Sequence, residues 1–174
     1  MNEASNPFSP EPARPTRPSH SDVAPARLRP EPRSAYRHFF DIATRWLDND
    51  VYGHVNNTVY FTWFDSAVNR YLIEAGALDI HQGPVIGFAV QSHCDYFAPL
   101  AYPQPIEAGL RIGRLGASSV RYEVGVFAAG HDFAAAAGYL THVYVDRATQ
   151  RPATLPAVLR EALERLRTGE GRAR

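Results

Sequence analysis

Between Asp48 and Leu72 the chain reads DNDVYGHVNNTVYFTWFDSAVNRYL, which sets carboxylates, a turn glycine, an imidazole and two amides directly ahead of a long aromatic run. Residues of these types at this spacing suit one chemistry. A carboxylate held near a helix start can meet an electrophilic carbonyl, while the unpaired N–H groups of the first helical turn stabilise negative charge forming on the carbonyl oxygen. Ester or thioester hydrolysis is the expectation.

A site of this kind needs a helix behind it and a sheet to hold the helix. Asp50, Gly53 and Asn56 or Asn57 read as turn and cap residues ahead of a periodic run over 59–72. The series Val59, Trp63, Ala67, Tyr71 and Tyr60, Phe64, Val68, Leu72 cover two adjacent faces, so the helix is expected to be buried more widely than a single stripe, with Gly76 as its stop. Ahead of it, Phe39, Phe40, Ile42, Ala43 and Trp46 make a strand-like run. Behind it, segments 85–96, 106–114, 118–127 and 133–145 favour strands and are separated by Pro, Gly or polar breaks. A short charged helix is expected over 157–167. The sum is an α+β arrangement, an antiparallel sheet of about five strands wrapped on a central helix. Such a single-layer sheet leaves an edge, and pairing through an edge strand would cover it.

Composition narrows the functional classes. With 174 residues and 45% apolar content, one domain is expected over 35–167, after a Pro- and Arg-rich flexible tail over 1–34 and before a flexible C-terminus over 168–174. Eighteen basic residues balance eighteen acidic ones, which argues against a generally basic nucleic-acid binder. No signal peptide pattern and no apolar run of membrane-spanning length is present. The lone Cys94 is expected to be a partly buried strand thiol in a cytoplasmic protein. His81, His93, His131 and His142 are scattered without metal-ligand spacing, so no metal site is expected.

The stretches RWLDNDVYGHVNNTVYFTWFDSAVNRYL, CDYFAPLAYPQPIEAGLRIGRLGASSVRYEVGVF and HVYVDRATQRPATLP, in that order, resemble the hotdog-fold acyl-CoA thioesterases of the 4-hydroxybenzoyl-CoA thioesterase family. The likeness covers about residues 36–159. It implies a helix enclosed by a curved sheet, homodimers with a continuous sheet that pair again into homotetramers, and active sites at the subunit interface. The implied substrate is an acyl-CoA, or an acyl group on acyl carrier protein, with coenzyme A as part of the substrate and no further cofactor. A non-catalytic acyl-CoA-binding protein and an acyl-thioester dehydratase or hydratase are the alternatives.

By this resemblance the loop aspartate is Asp50, acting as nucleophile on the thioester carbonyl or as the base that orients and deprotonates water. His54 would polarise the carbonyl, contact water or brace the loop. Asn57 matches the helix-start position whose backbone N–H faces the thioester oxygen. Asp48 reads as structural, Asn56 as the cap, and Asp65, which stands where another branch of the fold keeps its carboxylate, as structural or supporting. Ser66 lacks the setting of a serine nucleophile. Coenzyme A phosphates need cationic or N–H-rich surface, for which Arg111, Arg114, Ser118, Ser119 and Arg121 around GRLGASSVR are the candidates, against a plain solvated hairpin. Tyr96, Phe97 and Tyr102 either restrict the acyl group or pack the sheet.

Overall fold

The computed structural model describes residues 29–168. A long helix is clasped by one antiparallel sheet, the α+β hotdog arrangement expected from the sequence. The strands are β1 (His38–Ile42), β2 (Val85–Tyr96), β3 (Ile106–Leu115), β4 (Ser119–Ala128) and β5 (Ala136–Asp146), in the spatial order β1-β3-β4-β5-β2. Between the first two strands runs α1 (Asn57–Glu74), and α2 (Ala157–Glu164) closes the chain. No helix among the described residues is long and apolar enough to cross a membrane.

Helix α1 buries the two faces that its periodicity marks out: Tyr60, Trp63, Phe64, Ala67, Val68, Tyr71 and Leu72 lie inside. They meet the inward side chains of the sheet, among them Ala108, Leu110, Val120, Tyr122, Val124 and Val126, in one continuous core. Along β4 the large inward side chains Val120, Tyr122 and Val124 alternate with half-buried ones, so one face of the strand is given to the helix. Gly76 ends it in the left-handed conformation at φ 65°. The second helix packs Leu159, Ala162 and Leu163 inward, and Tyr71 in α1 donates its hydroxyl proton to the Ala162 carbonyl at 2.6 Å.

Several boundaries differ from expectation, among them the end of α2, which stops at Glu164 where 167 was expected. The first strand stops at Ile42, and Trp46, expected within it, lies in a 3-10 turn over Trp46–Asp48 and is 74% exposed. The turn forms because the buried Asp48 carboxylate reaches back to its own start. Residues 133–135 precede β5, although Ala134 and Ala135 are buried. Glu31 and Arg33, expected in the tail, are fastened to the sheet by ion pairs to Arg111 and Glu107. The remainder of the expected tail and the segment 169–174 lie outside the described residues.

The outer face of the sheet is held by an unusual close approach. Gly109 and Gly125 are cross-strand partners, and the Tyr36 ring lies over both; a Cβ on Gly125 would stand 2.6 Å from the ring. Tyr36 is 5% exposed and packs edge-on against Phe127. At the sheet's edge, β2 has twelve residues that are mostly exposed, including Phe88 and Val90. A long, partly apolar edge with a free row of backbone groups is a pairing surface.

Candidate active site

The loop entering α1 is fixed from below by Asp48. This carboxylate is 1% exposed, accepts from the Arg45 backbone N–H at 2.7 Å, and takes both Nε and an Nη of Arg45 at 3.1 and 2.8 Å. Its backbone carbonyl accepts the Asn56 N–H at 2.8 Å, so Asp48 braces the loop and has no free face for chemistry. Above it, residues 49–55 form a tight loop: Asn49 and Val55 bridge, the Asp50 N–H donates to the His54 carbonyl at 2.8 Å, and Gly53 turns the chain at φ 81°. Leu100 anchors the loop's far side by accepting the Val55 N–H at 2.7 Å.

Asp50 sits at the shoulder of this loop, half-buried. One carboxylate oxygen accepts the Tyr52 N–H at 2.8 Å, and the other takes no hydrogen bond among the described residues. This arrangement holds the side chain by one oxygen while leaving the second available to a substrate or a water. Val51 and Tyr52 beside it, with Trp46 and Leu47, expose large apolar surface at 93%, 83%, 74% and 85%. So much apolar surface around one loop marks a contact region.

The start of α1 supplies the complementary group. Asn56 is the cap: its side-chain oxygen accepts both the backbone N–H and the hydroxyl of Thr58, at 3.0 and 2.8 Å. Capping therefore satisfies the second N–H of the helix and leaves that of Asn57 without an acceptor among the described residues. An open cleft of about 290 Å³ lies here, with His54 and Asn57 on one side and Tyr60, Tyr96 and Phe97 among its walls. Asp50 does not line this cleft within the protomer; His54 joins the two, lining the cleft and accepting the Asp50 N–H at its carbonyl.

The two phenols that line the cleft, and the Cys94 thiol near them, stay protonated at neutral pH. Burial pushes the Tyr60 phenol up to about 12, with a smaller contribution from Cys94, and raises Tyr96 as well. Burial also lifts the Cys94 thiol to about 11, a protonated, poorly nucleophilic group. Asp65 lies exposed along α1, and Ser66 spends its hydroxyl on the Thr62 carbonyl at 2.7 Å.

The five residues considered for coenzyme A fall into two places. Arg111 and Arg121 project from the outer face into a groove of about 360 Å³. Arg111 donates to Glu123 at 2.7 Å and to Glu31 at 2.8 Å, and its guanidinium lies over the Tyr36 ring. Arg121 stacks on Tyr139 at 3.6 Å, with Glu123 at 3.3 Å. By contrast, Arg114, Ser118 and Ser119 sit at the β3–β4 hairpin, where Arg114 is exposed. Ser119 pairs with Val143 and Tyr96 with Ala136, positions on β5 roughly 23 Å apart. Within one protomer the hairpin is remote from the cleft.

Sequence reasoning missed one tie of the cleft. The Tyr96 hydroxyl donates to the Asn57 carbonyl at 3.1 Å, across 39 positions of chain. Nothing local to either residue signals it; only the pairing of β2 beside α1 brings them together.

Comparison with known proteins adds a family. A model described as the thioesterase-like superfamily matches residues 44–163. Among solved structures, the PA5185 protein from Pseudomonas aeruginosa strain PAO1 is 55% identical, over 81% of this chain and 99% of that one, with a TM-score of 0.79. The PA2801 protein from Pseudomonas aeruginosa is 30% identical over 73% and 98% of the two chains, at TM-score 0.67. A thioesterase from Thermus thermophilus, crystallised with coenzyme A and Zn, is 30% identical over 76% and 95%, at TM-score 0.62. No curated protein matches.

Proposed function

Since the chain belongs to the thioesterase-like superfamily, we propose that it hydrolyses an acyl-CoA thioester to the free carboxylate and coenzyme A, with Asp50 as the working carboxylate. The observation that carries this reading is the unpaired Asn57 N–H at the cleft, one tight loop away from a carboxylate with a free oxygen. The substrate carbonyl oxygen would accept from that N–H. Attack at the carbonyl carbon, by the Asp50 carboxylate or by a water that Asp50 deprotonates, then moves charge onto an oxygen already facing a donor. Collapse of the tetrahedral intermediate breaks the carbon–sulfur bond and releases the thiol. In the nucleophilic route a mixed anhydride is left, which water hydrolyses; in the general-base route the carboxylic acid forms directly. His54 is positioned to contact the carbonyl or the attacking water.

The exposed β2 edge supports a homodimer as the working unit. If two β2 strands pair antiparallel about a twofold axis, the Phe88 end of the partner meets the Tyr96 end of this protomer. That brings the partner's β3–β4 hairpin toward the cleft, so Arg114, Ser118 and Ser119 become candidates for the coenzyme A phosphates of the neighbouring site. The apolar surface of the Asp50 loop would be covered in the same assembly. Arg111 and Arg121 are weaker candidates, because Arg111 is already held between two carboxylates and Arg121 is stacked on Tyr139 beside Glu123. An acyl carrier protein substrate would use the same chemistry at the thioester.

The test is thiol release from a panel of aromatic and aliphatic acyl-CoAs by wild type and Asp50→Asn, with molecular mass measured for both. Turnover that Asp50→Asn abolishes without altering assembly supports the reading. Absence of turnover on acyl-CoA and on acyl carrier protein alike would overturn it in favour of a binding role.

A further inference from the structure

The N–H of Asn57 can stabilise an oxyanion only if its direction is fixed, and the structure fixes it from several sides. Asn56 is tied to the loop by its N–H, donated to the Asp48 carbonyl at 2.8 Å, and the carbonyl of the peptide that carries the Asn57 N–H accepts from Val59 at 3.0 Å. The peptide after Asn57 is held at its N–H end by the cap oxygen of Asn56, on Thr58. Its carbonyl end is held by Tyr96, whose hydroxyl reaches it at 3.1 Å. This last bond ties the helix start to the sheet.

Tyr96 is suited to the task. Its ring stands edge-on to Tyr60, with centroids 5.0 Å apart and planes at 87°, which limits ring rotation. The phenol is raised above its ordinary pKa, chiefly by burial, and so remains a donor throughout the neutral range. It lines the same cleft as Asn57, at the last position of the edge strand β2.

We propose that Tyr96 is a positioning residue for thioester hydrolysis: its hydroxyl, by holding the Asn57 carbonyl, aims the Asn57 N–H at the place where the substrate oxygen becomes negative. The inference rests on the proposed hydrolase reading and adds a residue to it. The Tyr96 ring lines the cleft, and its hydroxyl acts on the chemistry through the helix start. A donor that matters only as charge develops raises kcat when it is well aimed, with little effect on ground-state binding.

The experiment compares wild type, Tyr96→Phe and Asp50→Asn in thiol release from the best acyl-CoA of the panel, together with amide resonances of the first turn of α1. Phenylalanine keeps the cleft wall and the edge-on contact with Tyr60 and removes only the hydroxyl. The expected result is a loss of kcat of about 10-fold to 100-fold, KM within about twofold, an unchanged pH profile, and shifted, faster-exchanging Asn57 and Thr58 amides. A kcat within about twofold of wild type, or a rise in KM that accounts for the loss, would overturn the proposal. Unmoved Asn57 and Thr58 amides would overturn it too, even if wild type turned over no thioester. That last outcome would separately sink the hydrolase reading, whereas a normal Tyr96→Phe beside a dead Asp50→Asn sinks this inference alone.

Discussion

The helix-start cleft and the outer-face groove are of similar size and both contain a histidine and aromatic side chains, yet their hydrogen-bonding differs. On the outer face, Arg111 sits between Glu31 and Glu123 over Tyr36, and His93 bonds Asp95 at 2.9 Å. Each of those side chains has an internal partner, and an incoming ligand would have to displace it. At the helix start the balance runs the other way: the Asn57 N–H is left open at a mostly apolar cleft, and one Asp50 oxygen is left open on the adjoining loop. A dense cluster of charge is a fastening, whereas a site is recognised by what the fold leaves unpaired.

The comparison is tested most severely by Asp50→Asn, which should lower kcat by at least about 100-fold with stability unchanged. Retained turnover would move the chemistry away from this loop. Next in size is Gly125→Ala on the other face. Its Cβ would meet the Tyr36 ring at 2.6 Å, and overpacking of this kind costs about 1–3 kcal/mol. Chemical denaturation should register that loss while kcat per folded molecule holds. Arg111→Ala should be milder, about 1 kcal/mol, because the pairs it breaks are only partly buried, with side chains 18% and 20% exposed in the Glu123 bridge. If it raised KM for acyl-CoA about tenfold, the groove would be a ligand site and the contrast between the two regions would fail.

The smallest effect is expected from a buried group in neither region. His142 is 6% exposed beside Tyr122 and Tyr144, and its Nε2 has no partner among the described residues. Burial holds its pKa below the ordinary 6.5, only partly opposed by Asp65 on α1. With the folded value depressed, the unfolded chain binds the proton more readily, so stability falls as pH drops below about 6.5 and levels off above it. Melting temperatures between pH 5 and 8 should show this slope for wild type and a shallower one for His142→Gln. Equal slopes would remove His142 as the cause.

Much of the fold was legible because its signals are local. The double-faced periodicity of 59–72 requires enclosure, and the alternation through Val120, Tyr122 and Val124 requires a strand with one buried face. The turn at Gly53 and a cap at Asn56 or Asn57 follow from residue type and position, whereas the choice of Asn56 and the structural role of Asp48 draw on the resemblance. Boundaries failed where a distant partner decided them: Arg33 is ordered by Glu107 and Glu31 by Arg111, 74 and 80 positions away, and composition cannot foresee a salt bridge.

For the site, the sequence by itself determined the ingredients: a loop carboxylate, a histidine, a capped helix start, and a resemblance that orders them. Only the tertiary structure decided which groups are spent. It committed Asp48 to Arg45, set Arg111 among carboxylates, separated the hairpin of Ser118 and Ser119 from the cleft, and brought Tyr96 onto the Asn57 carbonyl. The physical reason is that local propensity is written within a turn or a strand repeat. Whether a donor or charge remains free depends on partners that meet only when the sheet closes around its helix.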